Sequence, residues 1–147
     1  MSQEKIIAIG CDHAGYEFKE ILREELREQG YEVIDFGTDS PESVDYPDFV
    51  HPVCDAMENG NAHVGILLCG SANGVAMAAN RHKHIRAAVC WDVEIAHLSR
   101  SHNDANIICL PTRFVAIELA REMVNDFLNT PFEGGRHQRR VEKIECI

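Results

Sequence analysis

The segment from Val64 to Arg81 leaves this chain few choices of fold. It opens with a short apolar run, Val64 to Leu68, of the kind that forms a buried strand. Small residues follow, Cys69-Gly70-Ser71-Ala72-Asn73-Gly74, and then Val75 to Ala79, which are good helix formers. The segment therefore predicts a strand, a tight turn and a helix N-terminus. Such a turn aims several backbone N–H groups at one spot beside the positive end of a helix dipole. A thiol at the strand end stands at the rim of that anion-attracting cup. A cysteine phosphatase loop is excluded, because Cys-x5-Arg would need arginine at position 75, which is Val75. Any cation for an anion bound there must come from elsewhere in the chain.

The same alternation recurs along the sequence. A first strand is expected from Lys5 to Gly10, ending in Cys11-Asp12-His13-Ala14-Gly15. Tyr16 to Gln29 reads as an amphipathic helix with Phe18, Ile21, Leu22 and Leu26 on one face and Gly30 as its stop. Tyr31 to Phe36 is a second strand, and Gly37 to Pro47 a polar loop containing Tyr46. Phe49, Val50, Val53, Cys54 and Met57 mark a helical face closed by Asn59-Gly60. Beyond the central segment, strands are expected at Ile85 to Cys90 and Ile107 to Leu110. Helices are expected at Val93 to Arg100 and Phe114 to Leu128, with a basic helical tail after Gly134-Gly135.

Strands alternating with helices predict an α/β fold, a Rossmann-like three-layer sandwich around a five-stranded parallel sheet. In the order 2-1-3-4-5, strands 1 and 3 meet at the switch point where ligands bind. The turns there are Cys11-Asp12-His13 and Cys69 to Gly74, the two richest in chemistry. No Gly-x-Gly-x-x-Gly follows the first strand, which disfavours a dinucleotide.

The 147 residues suit one domain, 1–147, and no apolar run approaches the roughly 20 residues of a membrane span. Met-Ser-Gln-Glu-Lys leads straight into a strand, so no signal peptide is expected. Cys11, Cys54, Cys69, Cys90, Cys109 and Cys146 are scattered without a Cys-x-x-Cys pair, which suits reduced thiols in the cytoplasm. A net charge of −10 disfavours nucleic acid, yet cations bunch at Arg81, Lys83 and Arg86 and at Arg136, Arg139 and Arg140. Local cations on an acidic chain suit a small anionic ligand. His82-x-His84 is set aside as a metal site for want of a third ligand nearby.

Taken together, Gly10-Cys11-Asp12-His13, Asp45-Tyr46-Pro47, Cys69-Gly70-Ser71, Ala79-Asn80, Leu98-Ser99-Arg100, His102-Asn103-Asp104 and Glu133-Gly134-Gly135-Arg136-His137 resemble, in this order, the type B ribose-5-phosphate isomerases. That family also holds galactose- and allose-6-phosphate isomerases. The resemblance implies interconversion of ribose 5-phosphate and ribulose 5-phosphate through an enediolate, without metal or cofactor. It implies Cys69 as the base, with a thiolate favoured by the helix N-terminus and nearby cations. Ser71, with Gly70, Asn73 and Gly74, would form the oxyanion-stabilising loop. His102 would open the sugar ring, helped by Asp12, and His13, Arg113, Arg136 and Arg140 would hold the phosphate. Tyr46 and Asn103 resemble substrate-contacting positions, whereas Arg139 matches none and reads as surface. The partners implied are a small phosphorylated sugar and a second subunit, with the tail 131–147 packed on that subunit and active sites shared in a dimer or dimer of dimers. Ser71 stands where many relatives have threonine, and Ala72 where glycine is usual, a strained choice if φ there is positive. A hexose 6-phosphate substrate, or a non-catalytic sugar-phosphate-binding regulator, are the alternatives.

Overall fold

The computed structural model describes residues 5–146. The first residues of the expected N-terminus and the final Ile147 lie outside them. The elements, in chain order, are β1 (Ile6–Cys11), a 3-10 turn (His13–Gly15), α1 (Tyr16–Glu28), β2 (Glu32–Asp35), α2 (Pro47–Glu58), β3 (Val64–Cys69) and α3 (Asn73–Ala79). They continue with β4 (Ala87–Val89), α4 (Val93–Ser101), β5 (Ile107–Pro111), α5 (Ile117–Asn129) and α6 (Arg136–Glu142).

All strand pairings are parallel, and the sheet order is β2-β1-β3-β5-β4. The expected order 2-1-3-4-5 is corrected at the far edge, where β5 takes the inner position. Burial explains the exchange. Every residue of β5 is buried, whereas the Ala87-Ala88-Val89 of β4 are only partly so. The strand that buries apolar side chains on both faces belongs inside a two-sided sheet. The junction of β1 with β3, which positions the site, is as expected.

Alternation along each strand feeds two cores. Ile7 and Ile9, Ile66 and Leu68, and Ile108 and Leu110 pack with Leu22, Leu26, Met123 and Phe127 of α1 and α5. On the other face Ala8, Leu67, Ile107 and Cys109 meet Val50 and Val53 of α2 and Val75 and Ala76 of α3. The sheet is thus the middle of three layers, with α1, α4 and α5 on one side and α2 and α3 on the other.

Two boundaries differ from the sequence reading. The strand expected over Ile85 to Cys90 shrinks to three residues, held by the Asn80 side chain, which bonds the backbone of Ala87 in both directions at 2.8 and 2.9 Å. The helix expected from Phe114 begins at Ile117, and Phe114 is 74% exposed. Residues 112–115 instead form a turn, in which the Thr112 and Arg113 N–H groups bond the carbonyls of Cys69 and Gly70. Gly30 and Gly60 end α1 and α2 with positive φ, as their positions suggest. Among the described residues, no helix is long and apolar enough to cross a membrane.

Candidate active site

Cys69 ends β3 and Cys11-Asp12 ends β1, the neighbouring strand, so both turns open at the carboxyl edge of the sheet. There the Cys69 Sγ donates to Asp12 Oδ2 across 3.2 Å, and Asp12 is only 6% exposed. The other carboxylate oxygen, Oδ1, accepts from the Ala14 N–H at 3.0 Å and fixes the side chain. Thr112 Oγ1 ties the two turns together by donating to Ala14 O (2.9 Å) and Cys69 O (3.3 Å).

The cup has the conformation that its small residues suggest. Ala72 adopts φ 64° and ψ 3°, the left-handed region that costs a side-chain-bearing residue free energy. The turn brings the Gly70 and Ala72 N–H groups to the Cys69 sulfur. Asn73 N donates to Ser71 Oγ at 3.3 Å, and Ser71 and Asn73 face solvent. Gly74 lies under the Tyr46 ring, where an added Cβ would stand 2.4 Å from Tyr46 Cζ. Gly70 lies beside the Arg113 side chain, with its Nε 3.1 Å from where a Cβ would be. The loop has no arginine of its own, and Arg113 supplies one from the turn after β5. His13 accepts the Val44 N–H on Nδ1 (3.2 Å), which directs its other nitrogen outward as a donor.

Within the single chain, the surroundings of Cys69 oppose the expected thiolate. Burial first, then the hydrogen bond to Asp12 and its charge, push the thiol up to about 11, against the pull of the Gly70 and Ala72 N–H groups.

The remaining candidates lie at the opposite edge of the sheet. In a parallel sheet, α4 runs back from the carboxyl edge, so His102 at its C-terminus precedes β5 at the amino edge. Cys69 is in register with Pro111, the last residue of β5, about 13 Å from its first at roughly 3.3 Å per residue. His102 stacks on His137 of α6 with ring centroids 4.1 Å apart. Both Nε2 atoms face Glu133 Oε1, at 3.8 and 3.5 Å. The Glu133 N–H donates to Ser101 O at 3.0 Å and anchors the tail on the end of α4. Burial first, then the charges of His102 and Arg136, hold the His137 imidazole below its ordinary value despite Glu133. Arg136 and Arg140 stand one helical turn apart and are exposed, as is Arg139. Asn103 is also exposed at this edge and lines a 300 Å³ cavity with Asn80, Arg86 and Ile144.

The site residues named from sequence therefore fall into two groups. Asp12, His13, Tyr46, Cys69 to Gly74 and Arg113 gather at one edge, and His102, Asn103, Arg136 and Arg140 at the other. Sequence reasoning gave no role to Glu133 or His137, although their spacing of four residues on either side of a helix start was a signal. The cluster Arg81, Lys83 and Arg86 lines a separate cavity of about 430 Å³ between the α3–β4 turn and the tail. Arg86 there is committed to Asp104 through Nε–H to the carbonyl at 2.7 Å.

A thiol beside a carboxylate, ringed by N–H groups, an arginine and a tyrosine, is equipped for proton transfer on an anionic substrate. A model of the Ribose/Galactose Isomerase family matches residues 7–144. Ribose-5-phosphate isomerase B of Escherichia coli is 46% identical over 143 residues, spanning 97% of this chain and 96% of that protein. The crystal structure of a ribose 5-phosphate isomerase from Thermotoga maritima superposes with a TM-score of 0.95 at 49% identity, covering 98% of this chain and 99% of that one. Ribose-5-phosphate isomerase B from Mycoplasma genitalium, solved with bound ribulose-5-phosphate, gives 0.90 at 42% identity over 95% and 93% of the two chains. The chain belongs to the ribose/galactose isomerase family. It is a sugar-phosphate isomerase, an enzyme that moves a carbonyl between adjacent carbons.

Proposed function

We propose that the chain interconverts ribose 5-phosphate and ribulose 5-phosphate without a metal, at sites completed by a second copy of itself. The observation that carries this reading is the Cys69–Asp12 pair at the junction of β1 and β3, with His102 left at the far edge of the same sheet. The names of the relatives support the substrate.

Ribose 5-phosphate arrives largely as a closed ring. His102 of the partner moves the proton that opens it, with Asp12 assisting. Cys69 then takes the proton from C2 of the open aldose, and the C–H electron pair becomes the enediolate double bond. The C2 hydroxyl proton passes to O1, the proton held by Cys69 returns to C1, and the carbonyl forms at C2. The loop from Gly70 to Gly74 stabilises the enediolate oxygens with N–H groups and the Ser71 hydroxyl. Arg113 and His13 from one chain and Arg136 and Arg140 from the other hold the phosphate. Asn103, beside His102, contacts the sugar from the partner's side, and Tyr46 from the same side as Cys69.

The high Cys69 pKa of a single chain fits this assembly. A base that works near neutral pH needs its thiolate populated. The partner's guanidinium groups and imidazole would oppose the field of Asp12 and bring the thiol down. Shared sites thus make catalysis depend on assembly, and they assign the tail 131–147 to the subunit contact.

The test is turnover of ribose 5-phosphate by the chelator-treated enzyme, beside allose 6-phosphate and galactose 6-phosphate. Ribose 5-phosphate is expected to be the best substrate, and Cys69→Ala to lose about 10²- to 10⁴-fold in kcat. A hexose phosphate turned over faster would reassign the substrate. Activity that disappears with chelator and returns with a divalent metal would remove the thiol mechanism.

A further inference from the structure

A second group of metal-ligating side chains lies away from the catalytic loop. His51, Asp55 and Glu58 stand at i, i+4 and i+7 on α2, so they share one helical face. His82, in the turn after α3, faces them. Its Nδ1 is 3.1 Å from Glu58 Oε1 and 4.0 Å from Asp55 Oδ1, and its Nε2 is 2.7 Å from His51 Nδ1. The His82 side chain is 17% exposed, so a pocket wall already orients it. Nδ1 and the two carboxylate oxygens all lie within 4.8 Å of one another.

We propose that Asp55, Glu58 and His82 bind a divalent transition metal of the zinc class, with His51 as the residue that positions His82. Ligands at about 2.0–2.1 Å on a tetrahedral ion stand about 3.3–3.4 Å apart. Glu58 and His82 already have nearly that separation. Asp55, 63% exposed, is free to swing in from 4.0 Å. A metal on Nδ1 leaves the proton of His82 on Nε2, where His51 Nδ1 accepts it. Metal-bound histidines are characteristically held through the other ring nitrogen in this way. One imidazole and two carboxylates leave a fourth position for water and select borderline divalent ions. The His82-x-His84 pair is thereby divided. His84 has φ 66° and its N–H donates to Glu145 at 3.2 Å, whereas His82 finds its partners on α2.

The site is structural rather than catalytic. α2 begins beside Tyr46 at the carboxyl edge, where Tyr46 covers Gly74 at the start of α3. The metal would clamp the other ends of the same two helices. It stabilises the fold by binding the native state alone. The proposal is independent of the substrate assignment.

The test titrates cobalt(II) into the chelator-treated full chain and reads its visible spectrum, then measures thermal unfolding with zinc alone. One equivalent per chain is expected to give a tetrahedral nitrogen–oxygen cobalt spectrum. At a hundredfold excess over Kd, zinc should raise Tm by roughly 5–10 °C. Both signals should be lost in His82→Asn, be lost or weakened in Glu58→Gln, and persist in His84→Asn and His137→Asn. His51→Asn should weaken affinity about 10- to 100-fold while leaving the cobalt spectrum tetrahedral. The isomerase activity of His82→Asn should match the parent with or without zinc. No cobalt binding, binding that survives His82→Asn or depends on His137, or the near-ultraviolet band of a cobalt–thiolate bond would each overturn the site. Asp55→Asn, at an exposed position, repeats the test without disturbing the turn.

Discussion

Cys69 and Asp12 form a hydrogen-bonded pair 3.2 Å apart, in which the carboxylate accepts the thiol proton and opposes the charge the sulfur would gain by losing it. Asp12 is therefore a cause of the raised Cys69 pKa, as well as a neighbour in the site. Asp12→Asn should lower the Cys69 pKa from about 11, because a negative charge is removed while the amide oxygen keeps the Ala14 contact. The pH profile of Cys69 alkylation checks this, in a Cys146→Ser background that removes the exposed thiol. An unchanged or higher pKa would show that burial alone sets it.

Gly74→Ala tests the Tyr46 lid on the loop. A Cβ at Gly74 would overlap the Tyr46 ring, 2.4 Å from Cζ, so the ring must leave. The expected result is a raised KM with a Tyr46→Ala variant showing a similar loss, and little change in Tm. Additive losses in the double variant would mean that the two positions act separately.

Lys19 is fully buried and paired with Asp35 at 2.8 Å and Glu20 at 2.9 Å, on the side of the sheet away from α2. Burial raises the Asp35 pKa, but hydrogen bonds from Lys19, the Gly37 N–H and Arg23 outweigh it and leave it lowered. A depressed carboxylate pKa stabilises the fold above its unfolded value near 4, and that contribution is lost as pH falls through the folded value. Asp35→Ala should therefore cost about 3 kcal/mol at pH 7, since it leaves a buried ammonium with Glu20 as its one remaining carboxylate partner. It should also flatten the loss of stability as pH falls below about 4. Urea unfolding across that range measures both effects.

The sequence made the centre of the fold legible because β1, β3 and β5 are continuous apolar runs, and both glycine helix stops were where expected. The exchange of β4 and β5 was not legible, since it turns on which strand is buried on both faces. Phe114 misled for a local reason. An apolar residue ahead of an amphipathic run looks like a helix start, yet it sits in the turn that delivers Arg113 to Gly70. The strain at Ala72 was foreseeable from the family resemblance, in which glycine is usual there, but the raised pKa of Cys69 was not, because it depends on burial and on a carboxylate 57 positions away. For the same reason the His51, Asp55, Glu58 face of α2 carried no meaning until His82 was seen against it.

The separation of the two edges yields the most demanding prediction. Cys69 and Arg113 lie at the carboxyl edge, while His102, Arg136 and Arg140 lie at the amino edge with the tail anchored there by Glu133 to Ser101. If sites are shared, a Cys69→Ala chain and an Arg136→Ala/Arg140→Ala chain are each inactive alone, for different halves of the site. Unfolded and refolded together, they form heterodimers. One site then combines the mutated loop with the mutated arginines, and the other combines an intact loop with intact arginines. With random pairing half of the dimers are mixed, so the refolded mixture should regain about a quarter of the parental activity per site. Homodimers of either variant refolded alone stay inactive. If the arginines acted within their own chain, every site would keep one defect and the mixture would stay inactive. Native mass spectrometry of the mixture verifies that heterodimers are present, so an inactive mixture containing them would reject sharing of these arginines.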